Sequence, residues 1–298
     1  MADALTSIVP HRTLPAHLAT SYGPRGATMG RDGRPWPHSK LTTVGQLAPR
    51  DRDGAWKAPP GMCQGLEDLD AAMKAAGSAG VRLTEVTRPV ERVRTERAKY
   101  DTWVEAGRPS PGTPRYQSRA MRTVYIAPPN FTNHQWGGAV DFHVYALDFP
   151  GLKGNAALSK LWDLAIPLGF TPIIKNPSLE QSECWHFDRL GPLAGVRAAF
   201  VAHRNESPDF RNAYGLTAMV GNVLVGTFTG TKKMERYVQC RLLLAGHWPG
   251  PPDGQIGPKT RKALKAAGVE GVRTRTSASV IVGLMDEAGV GLPELALL

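Results

Sequence analysis

Apolar positions recur at helical spacing in the first patterned stretch of the chain. Leu66, Leu69, Met73 and Ala76, closed by Gly77, predict an amphipathic helix with a glycine stop. Val81 to Val86 alternates as a half-buried strand does, and Thr87-Arg88-Pro89 breaks it. A charged helix is expected from about Val90 to Ala106, followed by Pro- and Gly-rich sequence over 107–115. Ala139 to Tyr145 is strand-like, and Leu158, Leu161, Leu164, Ala165 and Leu168 form a second helical stripe ended by Gly169. Phe170–Ile174 and Cys184–Phe187 read as short strands. Helices and strands intermix without regular βαβ repeats. The expected fold is therefore α+β, a small antiparallel sheet with flanking helices.

The pattern is uneven along the chain. Residues 1–58 are rich in Gly, Pro, Arg and Asp and lack periodicity, above all over 24–40, so they read as an irregular arm or tether. The principal domain is expected over 59–205. A shift toward Gly, Thr and Asn marks 206–230 as a linker, and 231–298 reads as helices near 232–245, 258–267 and 277–288. At 298 residues, with 42% hydrophobic and 21% charged, the chain can bury a core in one large and one small domain. The net charge of +10 favours polyanionic partners, whether nucleic acid, anionic lipid or an anionic cell wall. Its basic residues are scattered, with no RNA-binding motif or zinc finger, so nucleic acid is not the expected partner. Cys63, Cys184 and Cys240 are odd in number and far apart, forming neither a disulfide framework nor a thiolate metal site. Met1 to Leu14 has no apolar core of a secretory signal, and no apolar run reaches the roughly 18 residues of a membrane span.

Two short segments carry the chemistry. The first is Thr132-Asn133-His134-Gln135-Trp136-Gly137-Gly138-Ala139-Val140-Asp141, and the second is Glu183-Cys184-Trp185-His186-Phe187-Asp188. Together they offer two imidazoles and one carboxylate, a donor set suited to Zn²⁺, with a coordination position left over for water. Glu183 stands three residues before His186, where it can serve as a general base. On a flat strand, residues three apart face opposite ways, so a bend or bulge near Trp185 is required. Gly137-Gly138 and the β-branched run after them favour a loop feeding a strand over a helix. His143, two residues beyond Asp141, is read as an outer hydrogen-bond donor or as a bystander. Cys184 is read as packing. For Trp136 and Trp185, cleft lining and core packing stay equally open.

These segments resemble the S-x-H-x-x-G-x-A-x-D and E-x-W-H motifs of the LAS metallopeptidases. That family comprises zinc D-Ala-D-Ala carboxypeptidases and L-Ala-D-Glu endopeptidases, including phage endolysins. Thr132 stands where the family has Ser; His134, Gly137, Ala139, Asp141, Glu183, Trp185 and His186 match. The resemblance spans about residues 60–200. It implies that His134, Asp141 and His186 bind zinc and that Glu183 is the catalytic base. Arg88 occupies the place of the family's conserved Arg without its flanking Ser, Gly and Tyr. It is the candidate for holding the oxyanion, the alternative being a surface salt bridge.

Toward the C-terminus, Asp253-Gly254-Gln255-Ile256-Gly257-Pro258-Lys259-Thr260 predicts a tight turn opening a helix with Pro at its first position. It is similar to the D-G-x-x-G-P-x-T signature of a three-helix peptidoglycan-binding domain, and the alternative is a generic helical hairpin. That likeness makes Asp253, Gly254, Gly257 and Thr260 candidate wall-binding residues. The expected protein is a monomeric peptidoglycan hydrolase of bacteriophage type, made in the cytoplasm and reaching the wall by holin release or as a virion component. The competing expectations are a non-catalytic wall-binding or virion protein with a structural zinc, and a DNA-binding protein.

Overall fold

The computed structural model describes residues 12–13, 57–88, 90–110, 113, 115, 117, 120, 121, 127–203, 213–291 and 298. Arg12–Thr13 (β1) pairs antiparallel with Lys57–Ala58 (β2). The remainder of 1–56, including the irregular segment 24–40, lies outside the described residues.

Helix α1, Pro60–Ala75, opens on a proline and buries Leu66, Leu69 and Met73. Gly77 follows with φ 84°, the left-handed conformation that glycine adopts readily after a helix. The strands are β3 Leu83–Glu85, β4 Ala139–Phe142, β5 Thr171–Pro172 and β6 His186–Asp188. They form one sheet in the order β3-β4-β6-β5, every neighbour antiparallel. Charged α2 spans Val90–Glu105, and α4 spans Gly154–Ala165 with a short 3-10 turn Ile166–Leu168 before Gly169. The apolar sheet residues Val140, Phe142 and Phe187 join Leu66, Leu69 and Met73 of α1 and Leu158, Leu161 and Trp162 of α4 in one core.

Register decides what the other face carries. Val140 sits opposite Phe187 in the core row, so the next row, Asp141 opposite His186, must point away from it. Glu85 pairs with Asp141 from the other side, completing a polar row of Glu85, Asp141 and His186 across three strands. A register shift between Leu83 and Glu85 lets Leu83 pair with Phe142 while Glu85 joins the polar row.

Two expectations are corrected, one just before β4 and one beyond β6. The loop expected before β4 contains a one-turn helix α3, Asn133–Trp136, capped by Gly137 at φ 84°. The segment 206–230, expected as a linker, contains α6, Ala213–Leu224, which packs against α5, Leu193–His203. Leu216, Met219, Val220 and Val223 of α6 are buried with Leu193, Val196 and Phe200 of α5 and with Trp136. The Gly and Asn content that suggested a linker belongs to a packed helix.

The C-terminal helices are α7 Lys233–Leu244, α8 Pro258–Ala266 and α9 Ala278–Glu287. They enclose Val238, Leu242, Leu264, Ile281 and Met285. Tyr237, Cys240 and Leu243 of α7 face instead into the core of α5, α6 and Trp136, so α7 serves two cores. Arg241, fully buried on α7, pairs with Asp286 of α9 and donates from Nε to the Val290 carbonyl at 3.0 Å. No helix among the described residues is long and apolar enough to cross a membrane.

Candidate metal centre

His134 lies on α3, Asp141 on β4 and His186 on β6, and all three side chains are buried. His134 Nε2 is 3.1 Å from His186 Nδ1 and 3.2 Å from Asp141 Oδ1; His186 Nδ1 is 3.1 Å from the same oxygen. Donors about 2.0–2.1 Å from an ion in a tetrahedral arrangement stand roughly 3.3 Å apart, so the triangle matches one tetrahedral face.

The outer sides of the rings fix which nitrogens carry lone pairs. His134 Nδ1 is 2.9 Å from the Val86 carbonyl, which can only accept, so the proton sits on Nδ1 and Nε2 presents a lone pair inward. His186 Nε2 is 3.3 Å from Asp188 Oδ1 and 3.0 Å from the Tyr214 hydroxyl, which likewise favours a lone pair on Nδ1. Asp188 is itself fully buried and accepts a hydrogen bond from Asn133 Nδ2 at 2.9 Å. Two imidazole lone pairs and a carboxylate oxygen thus converge within 3.2 Å. That arrangement calls for a positive charge at its centre, either a proton or a metal ion. Without a metal, burial opposes the charged ring of His186, but Asp141 and Asp188 outweigh it and push its pKa up to about 10. Burial likewise disfavours the Asp141 carboxylate, and His134 and His186 overcome it, holding Asp141 below its ordinary range. The buried His134-Asp141-His186 group can hold a metal ion.

The bend required near Trp185 is present. Glu183 has φ 67°, in the left-handed region, and its carbonyl accepts the His186 N–H at 3.0 Å, closing a turn between them. Glu183 is half-buried and stands outside the three-donor group. Burial and the charge of Asp141 raise its pKa, against the pull of His186, His134 and Arg88.

The backbone N–H of Arg88 donates to the His134 carbonyl at 2.8 Å. Its guanidinium grips Glu85 through Nε to Oε1 at 3.1 Å and through Nη2 to Oε2, and Arg92 reaches Glu85 Oε1 at 3.1 Å. The ion pair is largely buried rather than on the open surface, and the charge of Arg88 reaches both Asp141 and Glu183.

Other candidates resolve differently. The strand β4 ends at Phe142, so His143 does not continue the Asp141 face; its N–H donates to the Arg82 carbonyl at 2.8 Å, and it lies outside the donor group. Cys184 is buried beside Tyr145, and burial raises its thiol pKa, which suits packing. Trp136 is core: a Cβ on Gly138 would meet its ring at 1.8 Å and one on Gly221 at 2.4 Å. Trp185 packs partly buried against the sheet core.

Asp188 and Tyr214 belong to this centre and were not singled out from the sequence. The signal for Asp188 was available, because two residues on from His186 in a strand lies the same face. Tyr214 had none, since it is 28 residues from His186 and lies in the stretch taken for a linker.

In the C-terminal turn, the Gln239 side-chain amide donates to Asp253 Oδ1 at 2.9 Å and to the Gln255 carbonyl at 3.1 Å. Gly254 N–H donates to Gln239 Oε1 at 2.8 Å, and the buried Thr260 hydroxyl donates to the Gln255 carbonyl at 3.2 Å. Asp253, Gly254 and Thr260 thus hold the turn in shape, and Gly257 caps α8.

Comparison of the chain with known protein families, curated proteins and solved structures finds no match, so its likeness to the metallopeptidases rests on the two motif segments.

Proposed function

We propose that this protein is a zinc-dependent hydrolase of peptide bonds in bacterial peptidoglycan, of the endolysin type, with α7–α9 serving as a wall-anchoring unit. The observation that carries the reading is the inward convergence of His134 Nε2, His186 Nδ1 and Asp141 Oδ1, with Glu183, at a left-handed bend, near enough to feel the charges of all three. Structural zinc sites take four protein ligands, whereas the donor group among the described residues has three, as catalytic sites do.

When bound, the ion supplies a Lewis acid that makes water nucleophilic near neutral pH. Glu183 takes the proton from the attacking water and returns it to the leaving amine. Arg88, clamped by Glu85, presents a fixed positive charge to the oxygen on which negative charge develops. Outer bonds from Val86, Asp188 and Tyr214 hold the two imidazoles in the tautomers that leave their inner nitrogens able to bind.

The test is digestion of purified sacculi with mass spectrometry of the released fragments. Metal-loaded protein is expected to release peptides cut at a stem or cross-link amide, and EDTA to abolish release. Glu183→Gln should keep its metal and lose about 10²–10⁴-fold in rate. Cleavage by metal-free protein, or full activity in E183Q, overturns the mechanism.

A further inference from the structure

Helix α8 and the loop after it concentrate positive charge. Between residues 258 and 276 there are six basic residues, Lys259, Arg261, Lys262, Lys265, Arg273 and Arg275, against the single acid Glu270, a local charge of +5 in a chain of +10. Charged helix α2 offers a contrast, because its bases meet acids there, Arg97 with Asp101 at 2.7 Å and Lys99 with Glu96 at 3.1 Å. On α8, Lys262 and Lys265 are exposed and engage no carboxylate among the described residues. Arg261, Lys262 and Lys265 form the α8 wall of an open groove of about 630 Å³ whose lining includes Val269, Glu270 and Val272 of the loop that follows, and Arg261 Nη1 also donates to the Ile256 carbonyl at 2.7 Å. Cations three or four positions apart on a helix stand about 5–6 Å from each other, so the wall presents a short ladder of charge.

We propose that this groove binds an anionic polymer of phosphodiester-linked polyols, a chain of phosphates without bases. The ladder supplies the phosphate contacts. Among the described residues the groove lining contains no aromatic side chain, so it offers nothing on which the unpaired bases of a single-stranded nucleic acid could stack, and duplex DNA is set against the polymer in the test. Val272, the partly buried apolar residue of the lining, can meet the aliphatic linker between phosphates, while Val269 belongs to the core of α7–α9. The proposal rests on the wall-anchoring reading of α7–α9 and refines it: the anchor recognises the charged polymer, while Asp253 and Thr260 keep the turn that leads into α8.

The experiment measures binding of full-length protein to synthetic poly(glycerol phosphate), with an uncharged dextran and duplex DNA as comparison ligands, across a salt series. The double variant Lys262→Glu/Lys265→Glu is set against Lys153→Glu/Lys175→Glu, which makes the same change in net charge at exposed lysines outside the groove. Unchanged melting temperatures establish that both variants are folded. The expected result is tighter binding of the phosphate polymer than of either comparison ligand, weakened about tenfold or more by the groove variant and less than about twofold by the control. Equal loss in both variants would reduce the effect to net charge and overturn the site. Binding no tighter than to dextran, or tighter binding of duplex DNA, overturns the assignment of ligand. Sacculus hydrolysis, followed in the same preparations, separates the two readings, because polymer binding without hydrolysis removes the enzymatic proposal and leaves the groove standing.

Discussion

Asp188 tests the outer half of the metal centre without touching a donor atom. Asp188→Asn keeps the shape beside His186 but weakens the acceptor that fixes its proton on Nε2. Metal affinity is expected to fall about 10–100-fold, read by chelator competition, and an unchanged affinity would show that the Tyr214 hydroxyl suffices. The metal-free protein carries a pH signature at the same residue. Against the opposing effect of burial, Asp141 and Asp188 push the pKa of His186 up to about 10, above the ordinary histidine value of 6.5. Its protonation therefore stabilises the fold fully below about pH 6.5, and this contribution is lost as pH rises toward 10. The melting temperature of metal-free protein should fall across that window, and metal uptake at pH 8 should release about one proton, measurable by calorimetry in buffers of different ionisation enthalpy. At this scale the sequence was most readable where chemistry needs rare residues at tight spacing. His134, Asp141, Glu183 and His186 stood out, while the outer partners of the two histidines, a backbone carbonyl at Val86 and the phenol of Tyr214, leave no local pattern.

Among the elements, the contact that matters most to the site is Trp136 against α6. Trp136 follows His134 by two residues on α3, and its ring lies against Gly138 and Gly221. Gly221→Ala would drive a methyl into that ring, with an expected cost of about 1–3 kcal/mol and partial loss of bound metal, checked by thermal melts and metal analysis. A variant that melts like the parent and keeps its metal would mean the ring can shift without moving His134. The long amphipathic helices were legible from their apolar stripes, and α1, α4, α7, α8 and α9 lie close to their expected positions. Helix α6 was not, because Gly215, Gly221 and Asn222 look like loop residues. In the structure Gly221 makes room for an indole, and Asn222 Nδ2 donates to the Ala218 carbonyl at 2.8 Å and the Thr132 carbonyl at 3.4 Å. The strands were legible as a class but came out shorter than their alternating runs; β4 stops at Phe142 because a 3-10 turn, Val144–Ala146, begins directly after His143.

For the molecule as a whole, α7 is the joint. Val238 and Leu242 pack toward α8 and α9, while Tyr237, Cys240 and Leu243 pack toward α6 and Trp136. A helix that completes two cores couples their stability, so calorimetry is expected to show one unfolding transition rather than two. Metal at a hundredfold excess over its Kd should stabilise the native state by about 2.7 kcal/mol and move that transition as a unit. A second, metal-insensitive transition would show that the C-terminal helices melt independently. The sharing of α7 also bears on recombination. A chimera joined at the composition change near 206–230 would inherit His134, Asp141 and His186 but leave an indole beside His134 uncovered. A junction placed after α6 would strip one flank from α7. The half that carries the candidate metal donors is therefore not an interchangeable cassette, and any exchange of the C-terminal unit has to redesign the inward side of the helix that replaces α7.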